Sequence, residues 1–297
     1  MGYKPFKTMQ APIKHSIKQS TAMLCVSFAL LVNFNVSANG SLKVCAEANN
    51  LPFSNDKGEG FENKIAEVLA KDLKTSVAYI WQRQGEGFIR QTLGTGACDV
   101  VIGVPAQLGG NTLITQAYYR SYYAIVTRRS RHLNLRSYDD PKWRDIKVGL
   151  HSVGNDGANS PPAQALGLHD LGNQVVGFTL WGSDEQKDPQ GDVIKAVADG
   201  TIDAAIVWGP FAGYFAKPFG KQLVVKPAPA ESALPSQPFE WDIAAAVRYD
   251  DQALQTSLNK SLHRNAKQIA GILKQYGIPF VKLKPMAIEP NVSRSIQ

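Results

Sequence analysis

The chain has 297 residues, 44% of them apolar and 19% charged, and its 32 basic and 25 acidic side chains give a formal net charge of +7. Four of those lysines (Lys4, Lys7, Lys14 and Lys18) fall within the first 38 residues, which hold no acid; the remainder carries 28 basic against 25 acidic groups, a net +3. That balance leaves no electrostatic footprint for nucleic acid, and the length suits two lobes of ordinary domain size.

The basic start is followed by an apolar stretch over residues 22–36 and then by Val36-Ser37-Ala38, small residues where a signal peptidase reads. This order predicts a signal peptide over 1–38, cleaved after Ala38, and export to the periplasm. As a membrane anchor the stretch is short of the ~20 residues needed and is interrupted by Asn33 and Asn35. No later stretch is long and apolar enough to span a bilayer, so no stable membrane insertion is expected. Cys25 belongs to the leader. Cys45 and Cys98 remain, an even pair in an exported chain, which suggests one disulfide between neighbouring strands; two buried thiols are the alternative.

After the leader, residues 42–47 read as a strand, followed by the Asn-, Gly- and Pro-rich loop ANNLPFSNDKGEG. Phe61, Ile65, Val68, Leu69 and Leu73 recur at helical spacing. A strand over 76–81, a helix around 88–92 and a strand over 100–104 follow, and SYYAIVTR (121–128) reads as a long β run leading out of this lobe. Arg128, Arg129 and Arg131 read as solvated surface. A helical turn at 138–143 precedes a strand at 147–150, the loop SVGNDGANSPP, a helix from Pro161 and a strand at 174–179. Further on come a helix at 192–199, a strand at 204–208, a helix at 210–217 with Pro near its start, and a strand at 223–226. WDIAAAVR (241–248) is the return crossing, and 250–276 is a long helical pattern expected to pack on the first lobe.

Two halves of this pattern run parallel. Residues 41–104 and 145–207 share the order strand, loop, helix, strand, helix, strand, and each closes on a turn, an Asp (Asp99, Asp203) and a continuous apolar run. Such runs alternating with helices are strands buried on both faces of a parallel sheet. The predicted fold class is α/β, two doubly wound lobes joined by two crossing strands, with 39–126 and 241–297 in lobe 1 and 127–240 in lobe 2.

Open α/β sheets bind ligands at the C-terminal ends of their strands, where helix N-termini present free amides. This places residues 49–53 and 152–159 on the two jaws. Aromatics at or past strand ends (Phe53, Tyr118, Tyr119, Trp181, Trp208, Phe211 and Tyr214) suit a pocket floor as well as interlobe packing. The predicted cleft residues are Asn50, Phe53, Tyr118, Tyr119, Asn155, Asp156, Trp208 and Phe211. Catalytic chemistry is poorly represented. The five histidines show no metal-ligand spacing, no GxSxG elbow or P-loop occurs, and neither Cys45 nor Cys98 neighbours a His. His151 on a jaw loop reads as a hydrogen-bonding residue. No enzyme activity, metal or cofactor is expected.

The order of elements resembles that of family 3 extracellular solute-binding proteins, which implies the type II periplasmic binding protein fold. More closely, NNLPFSN, GEGFENKIAE, CDVVIGVPA, YYRSYYAIVTR and VWGPFAGYFA resemble the MoxJ/XoxJ group associated with PQQ-dependent methanol dehydrogenases. That resemblance implies an accessory factor for a quinoprotein alcohol dehydrogenase, its partner bound in the interlobe cleft. The alternative is a receptor delivering a small molecule other than an amino acid to an ABC importer. Ordinary amino-acid receptors of this fold grip the ligand with an Arg in a Thr-x-x-Arg motif after the third strand and with an Asp after the second lobe's closing strand. Here those stretches are Val104-Pro105-Ala106-Gln107 and Val207-Trp208-Gly209-Pro210. Both ionic ends of an amino acid would be buried unpaired, at several kcal/mol each.

Overall fold

The computed structural model describes residues 40–152, 160–181, 186, 188–281 and 283. The expected leader, with its cleavage after Ala38, and the expected cleft residues Asn155 and Asp156 lie outside the described residues.

The first lobe opens with β1 (Leu42–Ala46) and the short hairpin β2 (Asn49–Asn50) and β3 (Ser54–Asn55). It continues through α1 (Phe61–Asp72), β4 (Val77–Trp81), α2 (Phe88–Gln91), β5 (Val100–Pro105) and β6 (Thr112–Ile114). The first crossing strand is β7 (Tyr119–Arg128). The second lobe holds β8 (Val148–Ser152), α3 (Pro161–Leu168), β9 (Val175–Thr179), α4 (Asp192–Asp199), β10 (Ala204–Trp208), α5 (Gly209–Ala216) and β11 (Leu223–Pro227). The chain returns along β12 (Glu240–Arg248) and ends in α6 (Gln252–Arg264) and α7 (Ala266–Gln275).

The strands form one continuous path in the order β4-β1-β5-β12-β7-β10-β8-β9, with β6 added to β12 and β11 to β7. Inside each lobe the first strand is parallel to both neighbours: β1 to β4 and β5, β8 to β9 and β10. The crossing strands run antiparallel to these and to each other, Glu240–Ile243 of β12 opposite Tyr119–Tyr122 of β7. At this junction Arg120 grips the directly opposed Asp242 bidentately, Nε to Oδ1 at 2.6 Å and the second nitrogen to Oδ2 at 3.0 Å. A planar fork on a carboxylate fixes orientation as well as charge, so the pair stiffens the joint between lobes.

In the first lobe, α1, α6 and α7 cover one sheet face with Phe61, Ile65, Leu69, Leu258, Leu262, Ile269 and Leu273 against Val44, Val100 and Ile102. The other face carries α2 and the disulfide Cys45–Cys98, which ties β1 to the entry of β5 with S–S 2.07 Å and Cα–Cα 5.7 Å. In the second lobe, α4 and α5 bury Val193, Ile194, Val197, Phe211 and Ala212 on one face. Trp143, fully buried, and Leu166 cover the other.

The parallel between halves extends to individual bonds. Asp99 accepts from the Lys43 amide at 2.9 Å and pairs with Arg248, which ends β12 and also donates to the Cys98 carbonyl. Asp203 accepts from the Lys147 amide at 3.0 Å and pairs with Arg128, which ends β7 and also donates to the Ile202 carbonyl. Each crossing strand is thus pinned at its far end to the first and closing strands of a lobe. This corrects one sequence expectation: Arg128 is mostly buried and holds the second lobe together, whereas Arg129 and Arg131 remain exposed. The expected long helix over 250–276 is two, separated at Asn265, whose side-chain amide donates back to the Ser261 carbonyl.

Candidate functional site

The loop after β1 is built by the sequence around it. The β2–β3 hairpin turns the chain at 51–53, and the first amides of α1 then bond the carbonyls behind them, Phe61 N–H to Pro52 O at 2.8 Å and Glu62 N–H to Phe53 O at 2.9 Å. Gly60 allows this approach, because a Cβ there would lie 2.0 Å from the Phe53 carbonyl oxygen. Free amides at this helix start are what a ligand anion would use. Here the chain uses them itself, and the result fixes Phe53.

Phe53 points at the second lobe. Its ring meets Phe211 of α5 edge-on at 5.1 Å, and Phe211 in turn meets His151 of β8 at 4.9 Å. Phe53 and Trp208 each pack against the cores of both lobes. His151 is buried, and its Nε2 lies 3.0 Å from the Gln190 carbonyl, which can only accept, so Nε2 carries the ring proton. Burial pushes this imidazole down to about 4, so it is neutral at neutral pH. Gln190, also buried, sends its amide across to the Asn49 carbonyl at 3.0 Å, and the Asn49 side chain reaches the Gln186 carbonyl at 3.4 Å. The floor of the cleft is therefore a closed seam of the chain's own side chains.

Beside this seam a cavity of about 1,220 Å³ opens at the C-terminal ends of β4 and β5, between α2 and the turn at 108–112, with Trp181 contributing from the second lobe. Asn50 reaches its edge, donating to Gln84 Oε1 at 3.2 Å, and the Gln84 amide donates to Glu47 at 3.0 Å. Burial raises the Glu47 carboxyl above its ordinary value against the opposing pull of that amide. Arg83 lies over the Trp181 ring at 4.7 Å, bridging the lobes. A space of this size exceeds the ~300–1,000 Å³ of ordinary small-ligand sites.

The structure sorts the expected cleft residues. Asn50 stands at the cavity edge, while Phe53, Trp208 and Phe211 form the interlobe seam. Tyr119 is 1% exposed and sits in the first-lobe core against Phe61, so it faces no ligand; Tyr118 packs on the same core half-buried, with its hydroxyl buried. Gln190, Arg83 and the buried Glu62 were not singled out from sequence, and Asn49 entered only as the start of the jaw segment 49–53. Their partners lie far along the chain or carry no motif. Among the described residues no group of three His, Cys, Asp or Glu is placed to hold a metal, and no helix is long and apolar enough to cross a membrane.

No family model matches the chain. It is similar to protein MoxJ of Methylorubrum extorquens, 28% identical over 253 residues and covering 81% of each chain. Among solved structures it is similar to the periplasmic binding protein XoxJ of Methylobacterium extorquens, 32% identical with a TM-score of 0.66, covering 82% of this chain and all of that one. MxaJ of Methlophaga aminisulfidivorans follows with 26% identity and a TM-score of 0.69, covering 81% of this chain and all of that one. With two lobes of the type II periplasmic binding fold and a relative of this identity matched over its whole length, the chain belongs to the MoxJ/XoxJ-type periplasmic solute-binding proteins.

Proposed function

We propose that this protein is a periplasmic accessory factor for a PQQ-dependent methanol or alcohol dehydrogenase, and that a segment of the dehydrogenase docks in the interlobe cleft beside the aromatic seam. The observation that carries this reading is the contact of Phe53 with Phe211 at 5.1 Å. It fills the centre of the cleft, where a small solute would otherwise be enclosed, and leaves a wide flank cavity open. The membership of the MoxJ/XoxJ group supports the choice of partner. The chain also lacks the Arg and Asp of amino-acid receptors at their usual places: Pro105 ends and Ala106 follows the closing strand of the first lobe, and Gly209 and Pro210 follow that of the second.

The test is association in solution. The mature protein, mixed with the purified quinoprotein dehydrogenase of the same organism, is expected to co-elute on size exclusion and to give a saturable calorimetric signal. Absence of both at concentrations well above micromolar would sink the docking reading.

A further inference from the structure

The charged groups on the cavity wall are unequal. Arg83 and Arg90 line it, and Glu86 is the acid beside them. Elsewhere five guanidinium groups are ion-paired, Arg120 with Asp242, Arg128 and Arg131 with Asp203, Arg248 with Asp99, and Arg264 with Asp72, whereas the exposed Arg129, Arg136 and Arg144 are not. Among the described residues neither Arg83 nor Arg90 makes an ion pair. The acid that Arg83 senses, Glu47, is buried and already accepts the Gln84 amide.

Arg83 is also pre-oriented. Its guanidinium carbon lies 4.7 Å from the centroid of the Trp181 ring, which holds the cation at the cavity wall, and its N–H groups have no hydrogen-bond acceptor among the described residues. A planar N–H edge held in this way matches a carboxylate in fork geometry. The floor beneath is apolar, with Phe88 and Leu108 on the wall. The site thus combines two unneutralised forks with an apolar bed in a space too large for one amino acid.

We propose that the cavity recognises an acidic, apolar-flanked segment of a docked protein, with Arg83 and Arg90 as its carboxylate-binding residues. This rests on the docking reading above and names the chemistry of what docks.

The test uses the mature protein and synthetic peptides that share one Leu/Phe framework and carry Glu, Gln or Lys at alternate positions, titrated by calorimetry. The Glu peptide is expected to bind, with affinity falling as salt rises, and the Lys peptide is expected not to bind. The double variant Arg83→Gln, Arg90→Gln is expected to lose about tenfold or more in affinity for the Glu peptide at an unchanged melting temperature, both side chains being exposed. Should that variant fold poorly, the single variants, each expected to lose part of the affinity, serve in its place. Equal affinity for the Gln or Lys peptide, no binding of the Glu peptide, or full affinity in the Gln variants would overturn the proposal. A dehydrogenase complex that is insensitive to the Gln substitutions overturns this inference alone. Binding of the Glu peptide without any affinity for the dehydrogenase overturns the choice of partner alone.

Discussion

The carboxyl of Glu62 occupies the space that a side chain on Gly103 would need, its Oε1 lying 1.8 Å from where a Cβ would stand. Gly103 is the extra residue of a β-bulge in β5, since Val104 pairs with Ala244 and Ile102 with Ala245, and its φ of +81° is the left-handed region that favours glycine. The bulge re-aims the end of β5 towards the cavity, and Glu62 fills the hollow behind it without a hydrogen-bonded or ionic partner among the described residues.

Burial raises this carboxyl to about 8, and the groups that face it are the phenols of Tyr79, Tyr118 and Tyr119. The unfolded value is 4.5. Between the two values the folded state binds more protons than the unfolded one, so stability falls as pH rises. The favourable contribution is complete below pH 4.5 and gone above about 8. Glu62→Gln keeps the shape and removes the titration, so its melting temperature should approach or match the parent's at pH 5 and exceed it at pH 9. Parallel pH profiles for the two proteins would refute the buried, neutral Glu62.

The mirrored clamps predict mirrored losses. Asp99→Ala strips a partner from Arg248 and from the Lys43 amide, and Asp203→Ala does the same to Arg128 and the Lys147 amide. Each should cost about 1–3 kcal/mol by urea unfolding. A change within measurement error in either variant would mean that the solvated pair contributes little, as surface pairs often do.

The disulfide closes a sequence separation of 53 residues. Replacing Cys45 and Cys98 with Ala should lower stability by about 2–4 kcal/mol, and the parent, unfolded without reductant, should not react with a thiol-alkylating reagent. Two labelled thiols per chain would remove the bridge.

Much of this was legible in the sequence because buried parallel strands leave continuous apolar runs: LKVCA, VVIGVP and AAIVW announced β1, β5 and β10. The β2–β3 hairpin and β6 were missed, since two or three residues carry no periodicity. The helical pattern of 250–276 ran on through Asn265 because the apolar stripe continues across the break. Phe53 and Phe211 were found at jaw positions, but Tyr119 was misplaced because it begins a strand and alternation turns it to the core. The Gln190–Asn49 bond joins residues 141 apart, and no single-sequence signal connects them.

Free amino acids should leave the melting temperature unchanged. Where amino-acid receptors of this fold carry their Arg and Asp, this chain has Pro105-Ala106-Gln107 and Gly209-Pro210, and a true ligand at a hundredfold excess over Kd would add about 2.7 kcal/mol. A clear rise with any standard amino acid would restore the small-solute receptor as the leading reading.

Phe211 and Trp181 should behave as opposites, and the pair separates seam from docking surface. Phe211 is 8% exposed, in contact with Phe53 and His151, so Phe211→Ala opens a void between the lobes and should cost about 3–5 kcal/mol. Trp181 is half-buried on the cavity wall, and its ring contact is with Arg83. Trp181→Ala should therefore change stability little while weakening the dehydrogenase complex by about 2 kcal/mol, the size of an interface hot spot. Urea unfolding and calorimetric titration on the same two variants read both quantities. If Phe211→Ala keeps its stability and abolishes binding while Trp181→Ala does neither, the partner sits in the seam itself, the lobes must part to admit it, and the flank cavity is not the docking surface.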